Sequence, residues 1–226
     1  MRRLREVWRS AGWPFQDLVE AELLAAGLLE RLRDAEGRET VRVTDAGVRA
    51  LADALQRNRG AFEAHEALVG RVAREMQRAG RIVWRGLRLR APVPAEDGAT
   101  RWAMAMPDVF SIRSTTVDDY VEPVVHEIKV SRGDLLAELR KPDKHAAYLG
   151  LASQCWFVYP AGLARADEIP PAFGVIEATV DGSLERVRPA PSRPMRLPTA
   201  AWVALARATA LPPDEDDPPQ QALADA

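Results

Sequence analysis

"MPDVFSIRSTTVDDYVEPVVHEIKV", Met106 to Val130, is the stretch whose reading decides the fold of this chain. Its last part, "VEPVVHEIKV", has the composition of a mostly buried strand, yet Glu127 and Lys129 interrupt it. Residues two apart on a strand share a face, so these two charges project together with Val125. Val124, His126, Ile128 and Val130 face the other way. A charge in a buried strand is costly unless it is paired or binds something. The preceding strand carries a further carboxylate, Asp108, directly after Pro107. A meander sets the two strands side by side. Asp108 and Glu127 can then converge on one hard cation with oxygen ligands, such as Mg²⁺ or Mn²⁺, with the backbone carbonyl of Ile128 as a further ligand. The plainer alternatives are an edge strand with a solvated polar face, and for Asp108 a turn position after proline.

Working outward, residues 61–79 read as a helix with an apolar stripe at 62, 68, 69, 72, 73 and 76. Strands follow at 81–90, 101–112 (bent at Pro107) and 120–130. Ser131 suits the N-cap of a helix over 132–141, which Pro142 interrupts before the helix resumes over 143–152. "QCWFVYP" (154–160) is an apolar fourth strand. Residues 172–179 and 183–189 read as further strands and 199–211 as a helix. The expected core is therefore α/β (α+β), in the order helix, three strands, helix, strand, with the first three strands as a meander.

N-terminal to this core, 15–26 reads as a helix and 28–33 with 40–44 as a hairpin. Thr44 is the expected N-cap of a further helix, "DAGVRALADALQR". The division expected is 1–58, 59–210 and an acidic, proline-rich tail over 211–226 that composition marks as disordered.

The bulk numbers agree with a water-soluble domain: 226 residues, 28% charged and 47% hydrophobic. No apolar run approaches the roughly 18–20 residues of a membrane span, and the N-terminus lacks the apolar stretch of a signal peptide. With one cysteine, Cys155, an internal disulfide is excluded, so a reduced, cytoplasmic setting is expected. The net charge of −2 conceals a basic first part: residues 1–90 carry 18 arginines against 13 acids. Such a surplus is compatible with a polyanionic partner. Only three of the 31 basic residues are lysines, Lys129, Lys141 and Lys144, and all lie within sixteen positions. A lysine offers a compact ammonium that can stabilise one developing charge. His65, His126 and His145 lack zinc-like spacing. The six tryptophans are scattered and read as packing residues.

Pro107-Asp108 followed by Glu127-Ile128-Lys129 resembles the PD-(D/E)XK motif of restriction-endonuclease-like nucleases. The resemblance covers about residues 61–160 and implies a core of order α-β-β-β-α-β, with a central four-stranded sheet flanked by helices. It implies metal-binding roles for Asp108 and Glu127, and for Lys129 a role in positioning the attacking water or stabilising the transition state. It also implies a metal-facing glutamate on the first core helix, for which Glu66 is the first candidate and Glu63 the second. "EIKVSRGDLLAELRKPDKHAAYL" is similar to the MmcB-like branch of DNA repair proteins, which implies roles for Ser131, Arg132, Asp134, Lys144 and Tyr148. Arg132, Lys141 and Lys144 can equally hold a phosphate backbone, and Gln154 with Tyr148 can line the site. The first 58 residues resemble a MarR-like winged helix-turn-helix, although Asp17, Glu20 and Glu22 make its expected recognition helix acidic. The resemblance thus implies a Mg²⁺-dependent endonuclease acting on duplex, branched or damaged DNA in repair or processing, with a homodimer as one possible state. A non-catalytic DNA-binding protein on the same fold and an RNA-processing nuclease are the alternatives.

Overall fold

The computed structural model describes residues 1–10, 12–94 and 98–212. The acidic tail expected over 211–226 therefore lies, from 213 onward, outside the described residues. The chain divides into two compact units, Met1–Glu63 and Ala64–Ala226.

The first unit contains α1 (Arg2–Arg9), α2 (Leu18–Ala25), an antiparallel hairpin of β1 (Leu29–Arg33) and β2 (Glu39–Val43), and the start of α3 (Asp45–Arg78). Its core is Leu4, Val7, Leu29, Val41, Val43 and Leu51. The Thr44 hydroxyl accepts from the Gly47 amide at 3.1 Å, as expected of an N-cap. Two of the three acids on and before α2 are used internally. Asp17 caps α2 by accepting from the Glu20 amide and also pairs with Arg3. Glu20 is buried and accepts from the Phe15 amide at 2.5 Å and from Arg31 at 2.9 Å.

Sequence periodicity divided 45–79 into two helices, but α3 is a single helix of 34 residues. One glycine in a helix costs only about 1 kcal/mol. Gly60, flanked by good helix formers, therefore does not end it, and the expected boundary after residue 58 falls inside the helix.

The second unit is α+β. After α3 come β3 (Arg81–Arg85), β4 (Leu89–Pro94), β5 (Thr100–Ala105), β6 (Val109–Arg113) and β7 (Val124–Ile128). Then follow α4 (Arg132–Leu139), α5 (Pro142–Leu149), β8 (Gln154–Pro160), β9 (Gly174–Ala178), β10 (Leu184–Arg188) and α6 (Thr199–Arg207). Six strands form one mixed sheet in the order β10-β9-β8-β7-β6-β3. β7 pairs antiparallel with β6 and parallel with β8. The sheet is thus wider than the four strands expected, because β9 and β10 extend it beyond β8.

Of the long strands expected from the sequence, that over 81–90 ends at Arg85, with a new strand starting at Leu89 and running past the expected end to Pro94, and that over 101–112 is broken in two. Gly86, at φ +61°, turns the chain between β3 and β4. Pro107-Asp108 does the same between β5 and β6. The outer halves, β4 and β5, leave the main sheet and form a separate antiparallel hairpin, with Pro92 opposite Trp102 and Arg90 opposite Met104. Prolines in β4 suit a strand that pairs on one side only.

β7 is a central strand, and all five of its residues are buried. Val125 lies in a core cluster with Phe110, Leu135, Tyr148, Phe157 and the inner face of the hairpin (Leu89, Ala91, Ala105). Val124 and Ile128 lie in another, with Leu68, Val69, Val72 and Ala73 of α3 and Trp156 and Val158 of β8. The alternation read from the sequence is therefore the alternation observed. His126 is buried on the α3 side and stacks on Trp156; burial, then the charge of Arg81, pushes its pKa down to about 3, so it is neutral at physiological pH. Cys155 is buried, which pushes its thiol up to about 12. Only Trp84 and Trp156 are buried tryptophans; Trp8, Trp13, Trp102 and Trp202 are exposed, contrary to a packing role for all six. No helix among the described residues is long and apolar enough to cross a membrane.

The end of α5 approaches β4 so closely that a Cβ at Gly150 would lie 2.5 Å from the Pro92 carbonyl oxygen. Backbone cannot yield there as a flexible side chain would. Gly150→Ala should therefore destabilise the protein by about 1–3 kcal/mol, read as a lower Tm by circular dichroism. An unchanged Tm would show that the hairpin moves freely.

Candidate active site

The site grows from the end of β7. The register Val109↔His126 places Asp108 beside Glu127, one step beyond the last backbone pair of β6 and β7. Asp108 Oδ2 accepts the Ile128 amide at 2.7 Å, so its side chain continues the ladder where the backbone leaves it. Glu127 lies on the face that also carries Val125 and Phe110. Glu127 is 2% exposed. Its Oε1 accepts from Lys129 Nζ and from Lys144 Nζ, the latter at 2.7 Å. Its Oε2 accepts from the Tyr148 hydroxyl at 2.6 Å, and that hydroxyl lies 3.0 Å from the Met106 carbonyl oxygen. Lys129 Nζ also donates to the Ile128 carbonyl at 3.1 Å.

A second buried carboxylate, Glu138 of α4, completes the cluster. It lies 2.8 Å from Lys144 Nζ and 3.3 Å from Lys141 Nζ. All three lysines of the chain thus end on two carboxylates. Sequence reading passed over Glu138, although its spacing of three from Lys141 and six from Lys144 was a usable signal. It also set His65 aside for lacking zinc spacing. In the fold His65 Nε2 lies 3.4 Å from Asp108 Oδ1 and Nδ1 lies 3.3 Å from Glu66 Oε1. Glu66 in turn binds Arg85 at 2.6 Å. Glu66 therefore reaches Asp108 through a histidine, while Glu63 is exposed.

Other expected site residues are placed elsewhere. Ser131 caps α4, accepting from the Asp134 amide at 3.2 Å and donating to the Asp134 carboxylate at 2.7 Å. Arg132 turns away to an exposed ion pair with Glu168. Gln154 pairs with Val124 at the opposite end of β7 from Glu127, and on the face of Trp156 and Val158. These three are not brought to the carboxylates. Tyr148 and Lys144 are.

Burial raises the Asp108 pKa above the ordinary carboxylate value, and the neighbouring Glu127 charge adds to it; the Ile128 amide and Lys129 offset only part. For Lys144, burial works against the charged form, but Glu127 and Glu138 outweigh it and hold the ammonium above its usual pKa. For Glu138, burial is likewise outweighed, chiefly by Lys144, and its pKa falls. Burial and the Glu127 charge both push the Tyr148 phenol upward, so it acts as a donor. A buried ion cluster is rarely the most stable filling for such a space; apolar residues of like volume often do as well or better. Its carboxylates and ammonium groups are therefore candidates for a role in chemistry.

The donor set fits a small hard cation. Mg²⁺ is commonly held by one or two carboxylates, completing its shell with water and substrate phosphate oxygens. Asp108, Glu127 and the Ile128 carbonyl supply two carboxylates and one neutral oxygen.

No family model, curated protein or solved structure matches the chain.

Two outcomes follow from the charge balance. Because folding raises the Asp108 pKa, its contribution to stability is greatest below pH 3.8 and is lost as pH rises through the folded value. Asp108→Asn keeps an acceptor for the Ile128 amide and cannot ionise, so it should raise Tm at neutral pH; a lower Tm would refute this electrostatic account. Lys144→Ala should cost about 2 kcal/mol in urea unfolding, discounted from the usual cost of breaking a buried pair because Lys144 is partly exposed. Glu138 is depressed and Lys144 raised, so that cost should be full between their titrations. It should shrink as acid protonates Glu138, and a pH-independent cost would count against the pairing.

Proposed function

We propose that this protein is a metal-dependent nuclease that hydrolyses DNA phosphodiester bonds, on a core of restriction-endonuclease type. The observation that carries the reading is the pairing of Asp108 with Glu127 at the ends of adjacent strands, with the Lys129 ammonium on Glu127. Three chemistry-bearing groups come together at the end of two packed strands, where a rigid sheet fixes their positions.

In this reading Asp108, Glu127 and the Ile128 carbonyl hold Mg²⁺ or Mn²⁺. The ion, when bound, polarises the phosphate and lowers the pKa of its water. The chain's own groups do the rest. Lys129 supplies one fixed positive charge beside the reacting phosphate, where negative charge accumulates. Lys144 and the Tyr148 hydroxyl hold both oxygens of Glu127, so the carboxylate does not rotate away from its ligand position. His65, carrying Glu66 behind it, orients the outer oxygen of Asp108. Glu138 keeps Lys144 charged.

Cleavage of plasmid, branched and single-stranded DNA, assayed with Mg²⁺ or Mn²⁺ and with chelator, tests this. Wild type should cut only with metal, and Asp108→Asn and Lys129→Ala should each lose about a hundredfold or more. Mg²⁺ should raise the Tm of wild type and not of Asp108→Asn. Cleavage of RNA in place of DNA would favour the RNA-processing alternative. DNA binding without cleavage, unchanged in both variants, would favour the non-catalytic one.

A further inference from the structure

The outer face of the β4–β5 hairpin is unlike the rest of the surface. Trp102, Met104 and Met106 follow one another at alternate positions, all on the side away from the core, and are 46%, 59% and 47% exposed. The hairpin's inner face is fully used: Leu89, Ala91, Val93 and Ala105 are buried. An Arg101–Asp143 pair at 3.0 Å ties the hairpin to α5. The exposed row is therefore held in place by packing beneath it.

Arg90 stands opposite Met104, and its guanidinium lies 5.5 Å from the centre of the Trp102 ring. The same arginine lines a groove of about 730 Å³ between the β3–β4 turn and α6. Arg88 and Arg207 also line it, over a floor that includes Leu87, Val203 and Ala204, and no acidic residue does. Arg88, Arg90 and Arg207 have no carboxylate partner among the described residues. Three guanidinium groups without a carboxylate partner, gathered around one groove on a chain of net charge −2, make a local concentration of positive charge suited to an anion. Groove and hairpin both adjoin Asp108. The Gly86 amide at the groove edge donates to the Asp108 carbonyl at 3.3 Å, and Met106 precedes Asp108 by two residues.

We propose that this groove and hairpin face form a track for single-stranded DNA, which leads an unpaired strand past Asp108. The inference rests on the nuclease reading and names its substrate class. Phosphates would lie against Arg88, Arg90 and Arg207, and bases would stack on Trp102 and lie against Met104. Interleaved cations and an aromatic face are what a single strand requires, because every unstacked base offers a π face. A closed duplex offers phosphates but no free base, and leaves the exposed tryptophan and methionines without partners. The protein would thus prefer strands already opened, as at flaps, forks or gaps.

The test is fluorescence anisotropy in chelator, so that binding is read without cleavage, using a labelled oligothymidylate and a blunt duplex. Trp102→Ala should weaken oligothymidylate binding by about tenfold and leave duplex binding unchanged. Trp102→Phe should restore most of it. Arg88→Glu with Arg207→Glu should weaken binding and flatten its salt dependence. Circular dichroism confirms that each variant is folded, and the surface charge reversals serve if Trp102→Ala is not. Unchanged oligothymidylate binding in these variants, or an equal loss on duplex, overturns the track while leaving plasmid cleavage intact. Tighter, Trp102-dependent binding of oligouridylate overturns the assignment to DNA. Loss of metal-dependent cleavage in wild type, with Trp102-dependent binding retained, counts against the nuclease reading and not against the track.

Discussion

A carboxylate enclosed in the middle of a sheet sets the terms for everything around it. Glu127 cannot be left alone at 2% exposure, because an unpaired buried charge costs several kcal/mol. Its own strand supplies Lys129, but one ammonium does not saturate two oxygens. The remaining donors, Lys144 and the Tyr148 hydroxyl, come from α5, so the seat of that helix on the sheet is defined by polar contacts as well as by Leu151 and Ala147. Lys144 then requires a second acid to share its charge, which draws Glu138 of α4 inward. The Tyr148 hydroxyl near the Met106 carbonyl brings in the segment leading to Asp108. Strand, helix pair and Asp108 loop are thus linked through one side chain.

The use of lysine in this cluster has a simple cause. Two carboxylates on different elements converge on the Lys144 ammonium, at 2.7 and 2.8 Å. A compact group with three rotatable donors can serve both at once, whereas a planar guanidinium would have to align with one and crowd the other. Elsewhere arginine serves acids from exposed or half-exposed positions of its own, as Arg31 does for the buried Glu20, where the planar fork has room.

What could be read from the sequence depended on whether the signal was local. Alternation along 124–130 assigned the residues of β7 to its two faces correctly, because successive side chains of a strand point to opposite sides whether or not both are buried. β8 was legible as a continuous apolar run and β9 and β10 as short local segments, and the Thr44 and Ser131 caps were legible too. The bend at Pro107 was legible, but the turn at Gly86 and the departure of β4 and β5 as a separate hairpin were not, since a strand that turns into a separate hairpin keeps the same alternation on both sides of the turn. Gly60 misled in the opposite sense: its conformational cost is real, but is smaller than what its helical neighbours contribute. Within the site, Asp108, Glu127, Lys129, Lys144 and Tyr148 meet, whereas Ser131, Arg132 and Gln154 do not. The latter three were placed by likeness of sequence, and a local cap, a nearer acid and strand parity direct them elsewhere. His65 was missed because its partner Asp108 is distant in the chain; Glu138 was missed because its closer partner Lys144 lies beyond a proline, although its spacing of three from Lys141 was a local signal.

The bond from the Ile128 amide to the Asp108 carboxylate ties the position's chemistry to the alignment of two strands. One atom group serves as an ion ligand in prospect and as a surrogate backbone acceptor in fact. A residue with both duties cannot drift freely. Any replacement without an acceptor of the same reach would orphan a buried amide and loosen the pairing that sets Glu127 in place. Sequence change at this position is therefore channelled toward asparagine, a side chain of the same shape that keeps the architecture and silences the charge.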